Sequence, residues 1–398
     1  MGLIRLPQGG PPEVALDGFA IDGIAPGRYV RARSEDDIVD AVRGANEAGE
    51  AIVLWGGGTR MTIGDPPVRY DVALDLRDVA GIVDHEPADL TITVRAGTTL
   101  AALRSVLAPR GQWWPVEVAH PERATVGGTI ASAADGPSRY RYLHPRDWTI
   151  GVRAVLGDGT LTRAGGRVVK NVTGYDLTKL YSGSYGTLCA LVEVTLKLMP
   201  LPGRTLTLRA DLPDLAYAYG VVRELLRERL PLDAVALAIG PAAQSVGAPG
   251  WTALFVRLAG NGAAVERLHR AVERRFVRME EVGPDTWERL AALPADAPTS
   301  VRGTWPAARP VEPYPLSALW YPGIEIMHLL DDHEDASLLR ELRLVAEGNA
   351  GAIVVERAPA DLRRALGTWG VPRTPPAISE RLRSLFDPRH VLSPGRMP

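Results

Sequence analysis

The sequence predicts an α+β protein built as two units, and three observations lead there. Up to about residue 200, short apolar or alternating runs are separated by glycine-rich turns, the pattern of strands with tight connections. Pro200 and Pro202 then stop the last of these runs. After Gly203 the texture changes to strand–helix–strand–strand–helix with few glycine loops, which suggests an antiparallel sheet carrying helices. The 398 residues leave room for two or three domains of about 150 residues.

The elements follow in order. Residues 1–27 are rich in Gly and Pro and show no strong periodicity. Residues 29–33 read as a strand. Ser34 then stands at an N-cap position, Glu35, Asp36 and Asp37 fill a first turn, and Ile38, Val42 and Ala45 form a stripe at helical spacing. Residues 51–55 are a short apolar strand ending at Gly56-Gly57-Gly58-Thr59. Residues 72–76 and 90–95 alternate as strands do, and 98–107 look helical. Residues 149–156 and 161–163 flank Gly157-Asp158-Gly159, a hairpin signal. Residues 187–199 are a further alternating run. Beyond the boundary, 205–210, 234–239, 252–258, 325–329 and 352–356 read as strands, and 215–230, 263–276 and 336–346 as helices. Residues 294–315 are rich in Pro and Ala and read as an irregular excursion. No internal repeat is visible.

Composition excludes several classes. The net charge of −2 lacks the basic surplus of nucleic-acid-binding proteins, so no nucleic-acid partner is expected. With 46% hydrophobic and 23% charged residues, the chain is globular in character. A single cysteine, Cys189, rules out an intrachain disulfide framework and any cysteine cage for zinc or an iron–sulfur cluster. Cys189 itself reads as a small buried hydrophobe. No apolar run reaches the roughly 18 residues of a membrane span, and residues 1–11 lack a secretory pattern, so the expected location is the cytoplasm.

Three segments carry chemistry. Trp55-Gly56-Gly57-Gly58-Thr59-Arg60 directly follows an apolar strand. Glycines let successive backbone N–H groups point into one concavity, and such nests hold phosphate oxygens. Thr59 adds a hydroxyl donor and Arg60 a charge. A plain Gly-rich turn reads equally well, and no GxGxxG opens a helix here. The second segment runs from Pro121 through Thr125-Val126-Gly127-Gly128 and Ala131 to Gly136. Its small residues permit backbone to approach a flat or phosphorylated ligand, or a helix to pack tightly on a sheet. The third is Lys170-Asn171-Val172-Thr173-Gly174-Tyr175-Asp176-Leu177-Thr178-Lys179-Leu180, followed by Gly183-Ser184-Tyr185-Gly186-Thr187-Leu188. The chain has only three lysines, and Lys170 and Lys179 both fall here. That suits a contact to an anion or substrate carboxylate, with chance placement as the bland alternative.

In this order, with Asp158-Gly159 between them and Phe386-Asp387-Pro388…Leu392-Ser393-Pro394-Gly395-Arg396 at the end, the segments resemble the PCMH-type FAD-binding domain of the vanillyl-alcohol oxidase and FAD-linked oxidase family. The likeness covers roughly residues 25–200 and the final dozen. Within the family it runs to the flavin subunits of bacterial glycolate oxidase (glycolate dehydrogenase), which share the 170–176 block. Larger D-type subunits carry a metal-ligating H-x-G-x-x-x-H motif, whereas His269, His328, His333 and His390 lack that spacing. D-type chains also read G-S-E-G-T-L, and this chain has Tyr185 in place of the acid. Both departures point to the E type and to no metal.

The resemblance implies a two-subdomain FAD-binding fold with an α+β antiparallel-sheet cap. Residues 1–24 would be an N-terminal segment, 25–202 the FAD-binding domain, 203–380 the cap, and 381–398 a segment returning to the FAD domain. Gly56, Gly57, Gly58 and Thr59 would hold the pyrophosphate, with Trp55, Arg60, Pro121 and Val126 also among the cofactor-binding residues. Thr125, Gly127, Gly128, Ala131 and Gly136 would line the flavin, with Gly186 and Leu191 near the adenine half. No His or Cys lies in 55–63, so non-covalent FAD is expected, His120 being the nearest candidate for a covalent link.

The implied activity is oxidation of a small 2-hydroxy acid, glycolate-like, with flavin as hydride acceptor. The implied partners are a D-type flavin subunit and an iron–sulfur subunit, through which the chain would sit peripherally on the inner membrane. Lys170, Tyr175, His120 and Arg146 are the catalytic candidates, with His144 beside them, and a structural role reads equally well for each. Two alternatives stand: a self-sufficient, metal-free FAD-dependent hydroxy-acid or alcohol oxidase, and a non-enzymatic FAD-binding scaffold subunit. The UDP-N-acetylmuramate reductase type shares the flavin fold, but the 170–176 block and the ending point elsewhere.

Overall fold

A computed structural model of the chain describes residues 15–166, 175–276, 278–304, 317–330, 336–372 and 374–398. The first sheet contains β1 (Arg28–Arg31), β2 (Ile52–Trp55) and β3 (Val72–Asp75), parallel and ordered β1-β3-β2. Helix α1 (Glu35–Ala48) connects β1 to β2. Its start is fixed locally: the Asp37 amide donates to Ser34 Oγ at 3.1 Å, and the Asp37 carboxylate accepts from the Ser34 amide at 3.0 Å. Gly49 ends it at φ +70°. Ile38, Val42 and Ala45 are fully buried, as their spacing predicts.

Next come β4 (Ile82–Glu86), β5 (Thr91–Arg95), the short β6 (Gln112–Trp113), β7 (Thr149–Val155), β8 (Leu161–Gly165), β9 (Ala190–Lys197) and the short β10 (Met199–Pro200). Five of them form an antiparallel sheet, β4-β5-β9-β7-β8, and β6 pairs with β10. Val155 faces Leu161 across the expected hairpin. Helix α2 (Leu100–Leu107) and the short α3 (Val126–Ala131) pack on this sheet, and Thr99 and Thr125 accept from the Ala102 and Gly128 amides.

The remaining strands build one antiparallel sheet: β11 (Arg204–Leu212), β12 (Ala234–Ile239), β13 (Thr252–Gly260), β14 (Glu280–Glu281), β15 (Ser300–Thr304), β16 (Ala318–Tyr321), β17 (Ile326–Leu329) and β18 (Ala352–Arg357). The order is β14-β11-β13-β12-β16-β17-β15-β18. Alternation divides its faces. On β12, Val235, Leu237 and Ile239 join the core under the helices Leu215–Arg227, Gly262–Arg275 and Ala336–Gly348, while Ala234, Ala236 and Ala238 pack with Phe255 and Leu319 on the other face.

The excursion expected over 294–315 is corrected in part. Residues 300–304 form β15, which pairs with both β17 and β18, and Pro294 lies inside the helix Thr286–Asp296. Two flanking strands satisfy the backbone of a segment, Ser-Val-Arg-Gly-Thr, in which glycine separates the two strand-favouring residues. Residues 305–316 lie outside the described residues.

Residues 386–396 return to the first sheet. The Ile52 amide donates to Val391 O and the Ser393 amide to Ile52 O, each at 2.7 Å. Buried Asp387 shapes the turn by accepting from the Val391 and Leu392 amides at 3.0 and 2.7 Å. Among the described residues, no helix is long and apolar enough to cross a membrane.

Candidate functional site

Two adjoining cavities meet where β2 ends. The larger is a cleft open to solvent, with about 1070 Å³ of empty space, walled by residues 53–61, by 124, 125, 127–129, 131, 132 and 134 around α3, and by Tyr185, Gly186, Cys189, Leu191, Ser393 and Arg396. The smaller, about 550 Å³, lies between this cleft and the eight-stranded sheet. Thr59, Arg60, Ala119 and Ala295 border both.

The expected ligand loops meet in the cleft. Trp55, Gly56, Gly57, Gly58, Thr59, Arg60, Thr125, Gly127, Gly128, Ala131, Gly186 and Leu191 all stand on its wall. The glycines are needed for close approach: a Cβ on Gly57 would lie 1.8 Å from Arg123 O, and one on Gly56 2.5 Å from Thr125 Oγ1. Val126 is not on the wall; it turns fully into the core as α3 begins, with its amide on Thr98 O. Pro121 is off the wall as well, its carbonyl taken by the Ala101 amide. Gly136 lines the smaller cavity.

The catalytic candidates are not brought together. Tyr175 is 96% exposed, Arg146 lies on the surface, and Lys170 lies outside the described residues. His120 Nε2 is 2.8 Å from Asp296 Oδ1, and the residue lines neither cavity. His144 Nε2 stands 3.4 Å from Asp135 Oδ2, and burial pulls the imidazole pKa down.

Sequence reasoning missed the charges that matter here. Among the described residues, the charged side chains on the cleft wall are Arg60 and Arg396, both cationic. Arg396 braces the 61–65 loop, donating to Asp65 O at 3.0 Å and Met61 O at 2.6 Å, and burial followed by nearby Arg363 pulls its pKa down to about 10. The smaller cavity is lined by Asp135, Tyr321, His328 and Glu356 as well as Arg60. Arg60 reaches Glu356 Oε1 at 3.2 Å, and its Nε has no hydrogen-bond partner among the described residues. Burial works to raise the Glu356 pKa, but Arg60, then His328 and Arg302, hold it down at about 2. Asp135 is likewise held down by Arg302, Arg139 and His144 against its burial. A charged residue inside the apolar β18 run was the available signal for Glu356.

A cleft with bare-backbone loops and cationic walls fits a dinucleotide carrying a diphosphate. Fold and site therefore define a dinucleotide-binding protein with two small subdomains under an antiparallel cap. Residues 26–165 match the family described as an FAD binding domain. Glycolate oxidase subunit GlcE of Escherichia coli (strain K12) is 32% identical over 354 residues, 87% of this chain and 92% of that protein. The D-2-hydroxyglutarate dehydrogenase of Xanthomonas citri pv. viticola is 32% identical over 56% of this chain, which spans only 48% of that protein. Among solved structures, alkyldihydroxyacetonephosphate synthase aligns with a TM-score of 0.70 at 14% identity, covering 93% of this chain and 76% of its own. Substrate-bound p-cresol methylhydroxylase gives 0.66 at 17% identity, with 94% and 88% covered, and these two likenesses concern the fold alone. The chain belongs to the FAD-linked oxidase family: it is a flavoprotein oxidoreductase with FAD as cofactor.

Proposed function

We propose that the chain is an E-type flavin subunit of a glycolate oxidase-like complex. It oxidises the CH–OH group of a small 2-hydroxy acid and hands the electrons to an iron–sulfur partner, beside a D-type flavin subunit. The observation that carries this is the smaller cavity, a polar chamber opening off the cleft at Arg60 and roofed by Tyr321, His328 and Glu356 of the cap sheet. Its cation Arg60 suits a carboxylate, and the names of GlcE and of the D-2-hydroxyglutarate and D-lactate dehydrogenases it resembles point to hydroxy acids. The single cysteine supports an external iron–sulfur partner, and the partners would hold the chain at the cytoplasmic face of the inner membrane.

When bound, FAD supplies the two-electron acceptor that such an oxidation needs. The backbone of Gly56, Gly57 and Gly58 holds the diphosphate, with Arg60 and Arg396 as counter-charges. Thr125, Gly127, Gly128 and Ala131 let α3 close on the ring system, and the 203–380 cap covers the 25–202 unit and excludes water. Among the described residues no histidine lies on the cleft wall, and burial pushes the Cys189 thiol pKa up, which supports non-covalent FAD. Acid precipitation should therefore release all of the flavin into the supernatant; colour left in the pellet would mean a covalent link.

The test of function is anaerobic mixing of the flavin-loaded chain with glycolate and with D-lactate while the visible flavin band is followed. Bleaching supports the proposal. Persistence of the band, alone and with the partner subunits, rejects it. The chamber holds a histidine and a carboxylate on this one chain, which also favours a self-sufficient oxidase. Steady turnover by the isolated chain with a dye acceptor would select that reading.

A further inference from the structure

Oxidation of a hydroxyl group releases a proton, and among the described residues lining the chamber His328 is the one imidazole. His328 lies on β17, nearly buried. Its Nδ1 is enclosed and has no hydrogen-bond partner among the described residues, yet Glu356 Oε2 stands 3.5 Å away. The other oxygen of that carboxylate takes Arg60 at 3.2 Å. Tyr321 meets the imidazole edge-on, with ring centroids 6.2 Å apart and planes at 83°. The other charges nearby are Arg357, which also lines the chamber, Arg302, the register partner of His328 on β15, and Asp135, whose carboxylate lies 4.0 Å from Arg302.

We propose that His328 accepts the substrate's hydroxyl proton, oriented by Glu356, which Arg60 pins from the glycine loop. This rests on reading the chamber as the substrate site. A carboxylate beside Nδ1 keeps the ring's own proton there and leaves Nε2 as the base. The O–H bond breaks and its proton goes to Nε2. The C–H bond breaks with its electron pair, and that hydrogen leaves as hydride to FAD. The carbon becomes a carbonyl, so a 2-hydroxy acid gives the 2-oxo acid, one proton and one hydride. Arg60 thereby makes the base depend on contact between the two units, since Glu356 and His328 belong to the cap sheet.

The experiment uses the flavin-loaded protein and its His328→Asn variant. Flavin content, binding of the inert dianion oxalate by perturbation of the flavin spectrum, and the pH profile of anaerobic bleaching by glycolate and D-lactate are measured. The variant should keep its flavin and bind oxalate within about threefold, while bleaching slows about 10²- to 10⁴-fold and its acid limb disappears. Glu356→Gln should move that limb to lower pH, and Glu356→Asp should restore part of the rate. A variant that bleaches within about threefold of the parent, or keeps the acid limb, overturns the proposal and leaves the chamber reading intact. A parent that neither bleaches nor binds oxalate sinks both. Should His328→Asn lose flavin, nitrogen-15 NMR of His328 in the parent decides: with oxalate bound the ring must be neutral with its proton on Nδ1, and a charged ring or a proton on Nε2 overturns the proposal.

Discussion

Gly57 and Gly128 stand on the same wall and fail in different ways when filled. A methyl at 57 would collide with the backbone at Arg123, 1.8 Å away, and the obstacle cannot rotate aside. Gly57→Ala should therefore lower the thermal midpoint and lose FAD together. At 128 the nearest atom to an added Cβ is the Thr125 hydroxyl at 2.9 Å, and the space beyond is the cleft. Gly128→Trp should leave the fold intact and exclude the flavin; normal flavin stoichiometry in that variant would remove Gly128 from the cofactor site. Glu356 carries a pH signature. Its carboxyl sits at about 2 rather than 4.5, so its contribution to stability is present above pH 4.5 and fades as pH falls through about 2. Denaturant titrations across that window should show a shallower loss of stability in Glu356→Gln than in the parent.

Elements whose determinants lie close together were legible in the sequence. The α1 cap needs only Ser34 and Asp37, three residues apart, and the helix stripe needs only its own period. Ser34→Ala should cost about 1 kcal/mol in denaturant unfolding without changing flavin content. The glycine loops were readable for a similar reason, because missing side chains mark close approach wherever they occur. Strand β15 was not readable, since its place is set by neighbours on both sides rather than by its own alternation. The chamber was the least legible. His328 and Glu356 come together only through the order β17-β15-β18, and Arg60 reaches Glu356 across 296 residues of sequence. Of the four catalytic candidates named from sequence, the three within the described residues were singled out for polarity inside a glycine-rich block. None of those three lies on a cavity wall, because proximity along the chain does not report which way a loop faces.

At the scale of the whole molecule, charged side chains bridge the units. Arg257 of β13 makes paired bonds to Glu117 at 2.7 and 2.9 Å, reaches Asp233 at 2.5 Å and lies over the Trp287 ring. Burial opposes its charge, and the two carboxylates more than offset this, raising its pKa. Arg257→Leu strands two carboxylates in a dry interior and should cost about 3–5 kcal/mol. Adding Glu117→Leu and Asp233→Leu should recover most of that in the same unfolding assay. Arg363 forms a second bridge, to Asp22 and to the Gly64 carbonyl. Deleting residues 389–398 removes both the β2 pairing and Arg396, so the shortened chain should purify without flavin.

That closing strand also sets an order in time. Residues 391–396 emerge from the ribosome only after the entire eight-stranded sheet has been synthesised, yet they complete the edge of the first sheet and one side of the cleft proposed for FAD. The domain made earliest is thus the one finished latest, and during translation it waits with β2 unpaired on that side. Cofactor capture becomes a late checkpoint in the life of the nascent chain. A ribosome stalled before residue 391 would hold a protein unable to take up FAD, however long it waited.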